Sequence, residues 1–174
     1  MENTTGINTE EVLENKFDIL FGLAKQSFEE VMSEVTGESI QSDDEFNIAP
    51  ADRLSLSIII GISGNTNGRI LLNTAVEYGK NIAVAMNFGD PLDNEDDLHM
   101  YLAEFANMFC GRAATHINNK FGKREIWISP PAIFSAKDLD IITPNVSSMK
   151  AYYECPLGKF IVDMGFSECT YDDF

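Results

Sequence analysis

One segment of the sequence alternates so regularly that it constrains the whole architecture. Between Leu54 and Ser63 the chain reads LSLSIIIGIS, with Leu or Ile at every second position. Successive side chains of a strand point to opposite faces, so this pattern predicts a strand with one buried face. The next five residues, GNTNG from Gly64 to Gly68, are rich in residues that tolerate positive φ, and RILLN then resumes a strand. We therefore predict a β-hairpin.

Two long segments have the period of an amphipathic helix. In the first, apolar side chains recur at steps of three and four residues from Phe17 to Val35, and Gly37 stands where a C-terminal cap is expected. The second runs from about Asp97 to Asn118 and places its apolar side chains on one side of a helical wheel. These core-facing residues are Leu98, Leu102, Phe105, Phe109, Ala113 and Ile117.

A shorter helix and an acidic run lie between these two segments. Thr74 and Glu77 have capping-box spacing and predict a helix to about Met86, which Gly89 closes. The run DPLDNEDD (residues 90–97) lacks the alternate ligands, the central glycine and the final glutamate of a calcium loop. We interpret it as a solvated linker that favours the N-terminus of the next helix, not as a metal site.

The rest of the chain is predicted to form strands and connections. Residues 41–51 have the composition of a connector, and residues 136–146 that of a loop with room for a short edge strand. Four other segments have strand-like composition, and a turn with Pro and Gly joins the last two. They are Glu125–Ser129, Ala132–Ala136, Ser148–Cys155 and Gly158–Phe166. The predicted fold class is α/β (α+β), with two long helices packed on a mostly antiparallel sheet.

Composition narrows the possible partners. The 174 residues are 44% hydrophobic, enough for the core of one domain. The formal charge of −16 disfavours a nucleic-acid partner and favours a basic patch on a protein. Cys110, Cys155 and Cys169 lack metal-ligand spacing, and no apolar run resembles a membrane span or a signal peptide. We expect a cytoplasmic protein with reduced thiols, no bound metal and no membrane insertion.

The outward face of the second long helix is unusually bare. Glu104 and Asn107 lie one turn apart and point away from the apolar side. Their neighbours are small or uncharged, although a solvated face would carry Lys, Glu, Gln and Arg. These neighbours are Met100, Ala103, Cys110, Gly111 and Ala114. A mid-helix glycine costs roughly 1 kcal/mol relative to alanine, which favours a docking surface. Periodicity alone leaves equally open that this chain or a second subunit covers the face.

The stretch EFANMFCGRAATHI, residues 104–117, together with Pro130 resembles the signature of the CheC, CheX and FliY family of chemotaxis phosphatases. In that signature a Glu is followed after two residues by Asn, and after twenty-two more by Pro. Glu104, Asn107 and Pro130 match this spacing. The order of the surrounding predicted elements agrees with the family as well. The resemblance therefore implies a CheC-like fold.

The resemblance also implies a division of the chain. It covers residues 10–166, which would form one CheX-like phosphatase domain between a flexible N-terminus (residues 1–9) and an acidic C-terminal tail (residues 167–174). Met100 stands where the family has an acid or serine, and Arg112 where relatives often have Asn. The first helix has no Glu and Asn pair of its own, so the chain is closer to the single-site CheX type than to the two-site CheC type.

The family's chemistry assigns a role to each matching residue. Its substrate is the phosphoaspartate of a CheY-like response regulator, which brings its own magnesium ion, so no cofactor is expected on this chain. Asn107 would position the attacking water, since an amide donates and accepts hydrogen bonds without titrating. Glu104 would pair with the regulator's active-site lysine, and Pro130 would end one segment so that the next strand starts correctly. The expected partner-docking residues are Met100, Ala103, Gly111 and Ala114.

Two other functions stay open beside this one. The same fold occurs in flagellar switch proteins, so Met100 or Arg112 would fit a non-catalytic binding module for a phosphorylated regulator. Alternatively, the bare helix face is a dimer contact. Similarity to CheX further implies a homodimer in which sheet edges meet.

Overall fold

The structure is a computed structural model that describes residues 9–43, 54–137, 139 and 148–168, with side chains of the first helix from Lys16 onward. In these ranges the chain forms three helices and six strands. The helices are α1 (Thr9–Thr36), α2 (Val76–Met86) and α3 (Glu95–Phe121). The strands are β1 (Leu56–Gly64), β2 (Thr66–Thr74), β3 (Ile126–Ile128), β4 (Ala132–Ser135), β5 (Ser148–Cys155) and β6 (Gly158–Glu168).

The predicted fold class is confirmed, with a third, shorter helix beside the two long ones. Both long helices, the hairpin and the four later strands form where the sequence predicted them, with ends shifted by a few residues. The predicted connector at 41–51 and the loop at 136–146 lie largely outside the described residues.

All the strand pairings that the structure describes are antiparallel. The strand order is β3-β1-β2-β6-β5, and β4 also pairs with β1. The register places Ile58 opposite Leu72, and Leu72 opposite Val162, so apolar side chains form rows across the sheet. These rows are buried beneath the helices. Burial of one face explains the strict alternation along β1, because a shift of one residue would turn its apolar side chains to the other face.

The two long helices pack on each other and on the sheet through aromatic rings. The Phe28 ring of α1 meets the Phe105 and Phe109 rings of α3 edge to face, with centroids 6.0 and 5.3 Å apart. It also lies 4.6 Å from the ring of Tyr153 on β5. All four side chains are fully buried. The ring of Phe28 therefore joins α1, α3 and the sheet in one core.

The predicted capping box of α2 is wrong, although the helix itself is confirmed. The N-cap is Ala75, which makes no side-chain cap. Thr74 ends β2, and its hydroxyl donates to the backbone carbonyl of Lys159 at 2.7 Å. The free amide of Val76 donates instead to the hydroxyl oxygen of Ser55, 3.0 Å away. Thr74 is thus used by the sheet, and a residue distant in sequence caps the helix.

A buried carboxylate stabilises the end of the hairpin. Glu125 is 5% exposed and accepts a hydrogen bond from the Thr66 hydroxyl at 2.6 Å. The ammonium group of Lys16, on α1, lies 2.9 Å from the same oxygen. Burial raises the pKa of Glu125, but the hydrogen bonds from Thr66 and Lys16 outweigh burial, and the pKa lies below its usual value. The network therefore joins α1, the hairpin and the start of β3.

We predict that Glu125→Gln lowers the free energy of unfolding by about 1–3 kcal/mol at pH 7 because it removes a buried, charge-assisted network. A lowered pKa stabilises the fold above the unfolded value of about 4.3, and this contribution is lost as pH falls through the folded pKa. The gap between wild type and variant should therefore narrow below about pH 4. Urea unfolding at pH 7 and pH 3.5 measures it, with the exposed Glu38→Gln as control. An equal gap at both pH values would contradict the prediction.

Candidate functional site

Helix α3 presents the predicted pair on a firmly held frame. Asn94 caps its N-terminus, with its side-chain oxygen accepting from the amide of Asp97 at 3.0 Å. Three acidic residues follow in the first turn, where the helix dipole favours negative charge. Near the other end, the side-chain amide of Asn118 donates to the carbonyl of Ile126 and accepts from its amide, both at 3.0 Å. Both ends of the helix are thereby fixed.

Glu104 and Asn107 both project from this frame into solvent. Each side chain is exposed, and within the described ranges neither is engaged in a hydrogen bond or an ion pair. The six predicted core-facing residues of α3 are all buried, which confirms the orientation of the helix. Because Phe105 and Phe109 anchor one side in the core, the opposite side is turned outward. A carboxylate and an amide one turn apart are thus available to a partner.

The surface around this pair consists mainly of small side chains and is open to solvent. Ala103, Gly111 and Ala114 are partly exposed, and Met100 is 56% exposed. A Cβ added at Gly111 would meet no heavy atom within 4 Å outside the helix's own neighbouring residues. The fold therefore does not require a glycine here. Among the described residues, no other segment of this chain covers the position.

Cys110 is not part of the outward face, and the prediction for this residue is wrong. Its side chain is fully buried, and burial raises the pKa of its thiol. Ala106, one turn earlier, is buried too. Helix α3 contacts strands β1, β3 and β4 as well as the other two helices, so the buried arc of α3 is wider than its stripe of large apolar residues. The sequence pattern assigned Cys110 to the outward face, whereas Cys110 and Ala106 both belong to the buried arc.

Arg112 is bound by α1. Its guanidinium donates to both carboxylate oxygens of Glu34, at 2.7 and 3.0 Å, and lies 3.6 Å from Glu30. The hydrogen bond from Arg112 lowers the pKa of Glu34, and the same bond raises the pKa of Arg112. The departure from the family pattern at this position therefore adds a link between α1 and α3 beside the bare face.

Pro130 lies in the short connection between β3 and β4. Just before it, the amide of Ser129 donates to the carbonyl of Gly61 at 2.9 Å, and the Ser129 hydroxyl accepts from the amide of Gly61 at 2.9 Å. Strand β1 pairs with β3 on one side of this point and with β4 on the other. The structure thus brings Glu104 and Asn107 together on α3 and places Pro130 in a strand connection.

The candidate site is a convex helix face. Two grooves in the described part of the chain lie elsewhere, one of about 580 Å³ between α2 and α3 and one of about 370 Å³ beside His116. Neither is lined by Glu104 or Asn107. Sites for small molecules are concave, so this face suits a macromolecule better. Among the described residues, no group of three or more His, Cys, Asp or Glu side chains could hold a metal, and no helix could span a membrane.

Comparisons with known proteins agree on the fold. Chemotaxis protein CheX from Vibrio vulnificus superposes with a TM-score of 0.69 at 17% identity, over 85% of this chain and 96% of that one. CheX from Desulfovibrio desulfuricans gives 0.72 at 17% identity, over 85% and 99%. CheX in the CheX-CheY-BeF3-Mg complex from Borrelia burgdorferi gives 0.67 at 19% identity, over 85% and 97%. No curated protein sequence matches the chain.

A model of one protein family matches the sequence directly. It is described as chemotaxis phosphatase CheX, and it matches residues 56–154, a range that contains Glu104, Asn107 and Pro130. The match extends from β1 almost to the end of β5. Because it spans more than half of the chain, the protein belongs to the CheX family of chemotaxis phosphatases.

Proposed function

We propose that this protein hydrolyses the phosphoaspartate of a CheY-like response regulator and so ends a two-component signal. The observation that carries the proposal is the exposed, uncommitted pair of Glu104 and Asn107 on a bare and rigid helix face. The family supports phosphatase chemistry. The CheX-CheY complex from Borrelia burgdorferi supports a regulator as the partner. Such a substrate implies a cytoplasmic protein, and we further propose a homodimer through sheet edges.

In this proposal Asn107 positions the attacking water. Its amide oxygen accepts from the water while its amide nitrogen donates, so one side chain fixes the orientation of the nucleophile. The water oxygen attacks phosphorus, and the aspartyl carboxylate leaves as the phosphorus-oxygen bond breaks. The magnesium ion and the acidic pocket belong to the regulator, so this chain needs neither a metal site nor a nucleophile of its own. Positioning alone contributes several kcal/mol to such a reaction.

Glu104 holds the complex in register. It lies one turn before Asn107 and carries a negative charge on a face that is otherwise uncharged between Met100 and Ala114. We propose that it pairs with the lysine of the regulator's active site, which fixes where the amide of Asn107 enters. The small side chains of Ala103, Gly111 and Ala114 allow the partner's surface to approach the helix closely.

Substitution Asn107→Ala should lower the rate of phosphate release by about 100-fold or more, because the water loses its positioning group. Binding should be retained, since Ala keeps the helix and the carboxylate of Glu104. The measurement is phosphate release from a phosphorylated CheY-type regulator, beside binding of the same regulator activated with beryllofluoride and Mg²⁺. Asn119→Ala, another exposed amide of α3, is the matched control and should leave both quantities unchanged. If wild type binds regulators but accelerates none, the protein is a non-catalytic binding module.

Reversing the charge at Glu104 should abolish docking. We expect Glu104→Lys to weaken binding of the activated regulator by at least 30-fold, because two like charges then face each other. Exposed Glu38 offers a control of equal charge change, and Glu38→Lys should bind normally. Changing the regulator's lysine to Glu should restore binding to the Glu104→Lys protein. Failure of that exchange would show that Glu104 does not face the lysine.

Matched substitutions of two glycines test whether the small residues of α3 contact the regulator. Gly22 on α1 and Gly111 on α3 both have open space around the position of a Cβ. Replacing either with Gln should raise stability by up to about 1 kcal/mol, measured by thermal unfolding. Only Gly111→Gln should weaken regulator binding. If it instead dissociates a dimer and leaves regulator binding intact, as measured by sedimentation, the bare face is a dimer contact.

A further inference from the structure

An apolar side chain in the connection between α2 and α3 has no partner within the described fold. Phe88 is 98% exposed, more than any other large hydrophobic residue described. Its backbone has φ +57°, in the left-handed region. An aromatic residue adopts this region at a cost, whereas Gly and Asn tolerate it. The ring recovers no packing energy from the described part of the fold, which therefore does not explain a phenylalanine at this position.

The backbone that carries Phe88 is held tightly. The amides of Phe88, Gly89 and Asp90 donate in succession to backbone carbonyls at 3.2, 2.9 and 3.0 Å. The side-chain amide of Asn87 donates to the carbonyls of Asp90 and Pro91, at 3.2 and 3.3 Å. Every amide around the ring is therefore satisfied, and the ring projects from an ordered support. Because the backbone is already fixed, a partner that binds the ring has to restrict only the rotation of this one side chain.

A hydrogen bond links this support to α3 beside the docking face. The hydroxyl of Tyr101 on α3 donates to the side-chain oxygen of Asn87 at 2.6 Å. Tyr101 follows Met100 directly and precedes Glu104 by three residues, close to one turn. On the helix surface Tyr101 and Glu104 are separated by about 60°. A partner that covers Met100 and Glu104 therefore comes within reach of the Phe88 connection.

We propose that Phe88 is a second anchor for the response regulator, inserted in an apolar pocket beside the phosphorylation site. This inference rests on the proposed function and extends it by naming a specificity-determining contact. Aromatic residues in desolvated pockets carry much of the energy of protein interfaces. Exposed carboxylates follow the ring at Asp90 and Asp93, so the rim of the regulator's pocket should be basic. Phe88 touches no reacting atom, so it acts on affinity and not on the chemical step.

The test is Phe88→Asn, which removes the ring and suits the left-handed backbone. We expect the Kd for a CheY-type regulator, activated with beryllofluoride and Mg²⁺, to rise about tenfold or more. With phosphorylated regulator as substrate, KM should rise while kcat stays unchanged, the opposite of the result expected for Asn107→Ala. The melting temperature should stay the same or increase, because the strained backbone is relieved. Phe88→Tyr should restore most of the affinity.

A matched control tests whether the loss of any exposed apolar side chain, and not only that of Phe88, weakens regulator binding. Trp127 is 60% exposed and pairs with Ser63 in the sheet. Its side chain lies on the sheet face opposite to that of its buried neighbour Ile126, so Trp127→Ser should leave Kd unchanged. An unchanged Kd for Phe88→Asn, with wild type binding normally, overturns the anchor but leaves the proposed function intact. If wild type binds no activated regulator, both fall. A loss of self-association without a change in Kd also overturns the anchor, because Phe88 would then contact a second copy.

Discussion

The edge-to-face packing of Phe105 and Phe109 on Phe28 is the interaction on which the rest of the site depends. A helix of 27 residues can rotate about its axis unless its apolar side is held, and these rings, fully buried between α1 and the sheet, hold it. Once Phe105 is fixed inward, Glu104 and Asn107 must face outward, because each residue turns the helix by about 100°. The geometry of the exposed pair is thus set by the core and needs no contact of its own.

This arrangement explains why the site is a surface and not a cavity. A small substrate would have to be enclosed, but the α3 face is convex and the groove between α2 and α3 and the groove beside His116 both lie away from the pair. A protein substrate that supplies its own cavity and metal ion reverses the requirement, because the catalyst then has to enter the substrate's site. Side chains on an exposed helix with small neighbours suit that task, since Ala103, Gly111 and Ala114 let the helix come close. The formal charge of −16 favours the approach of a basic surface to this protein.

Much of the fold follows from local sequence patterns, and the exceptions have physical causes. The alternation from Leu54 to Ser63 predicted β1, because burial of one sheet face leaves a period of two. The periodicity of α3 predicted which large side chains are buried, but not that Cys110 is buried as well, since a small residue fits a helix interface or a surface equally well. The capping prediction for Thr74 failed for a similar reason. Its hydroxyl could have capped α2, but it donates to a backbone carbonyl of the neighbouring strand β6 instead. Tertiary contacts decided both cases.

The residues of the candidate site came from spacing and resemblance, whereas Phe88 required the structure, because a phenylalanine in a sequence does not reveal a positive φ or the absence of a packing partner. Gly111 and Phe88 share one property. Each is a poor local choice, a glycine in the middle of a helix and an aromatic residue in a left-handed turn, and the described fold compensates for neither. Local rules agree with the fold through most of a natural protein, so sites where they fail are expected to be functional or strained. Two such sites, connected through Tyr101 and α3 to the same exposed pair, are explained together by the proposal that one partner surface covers both.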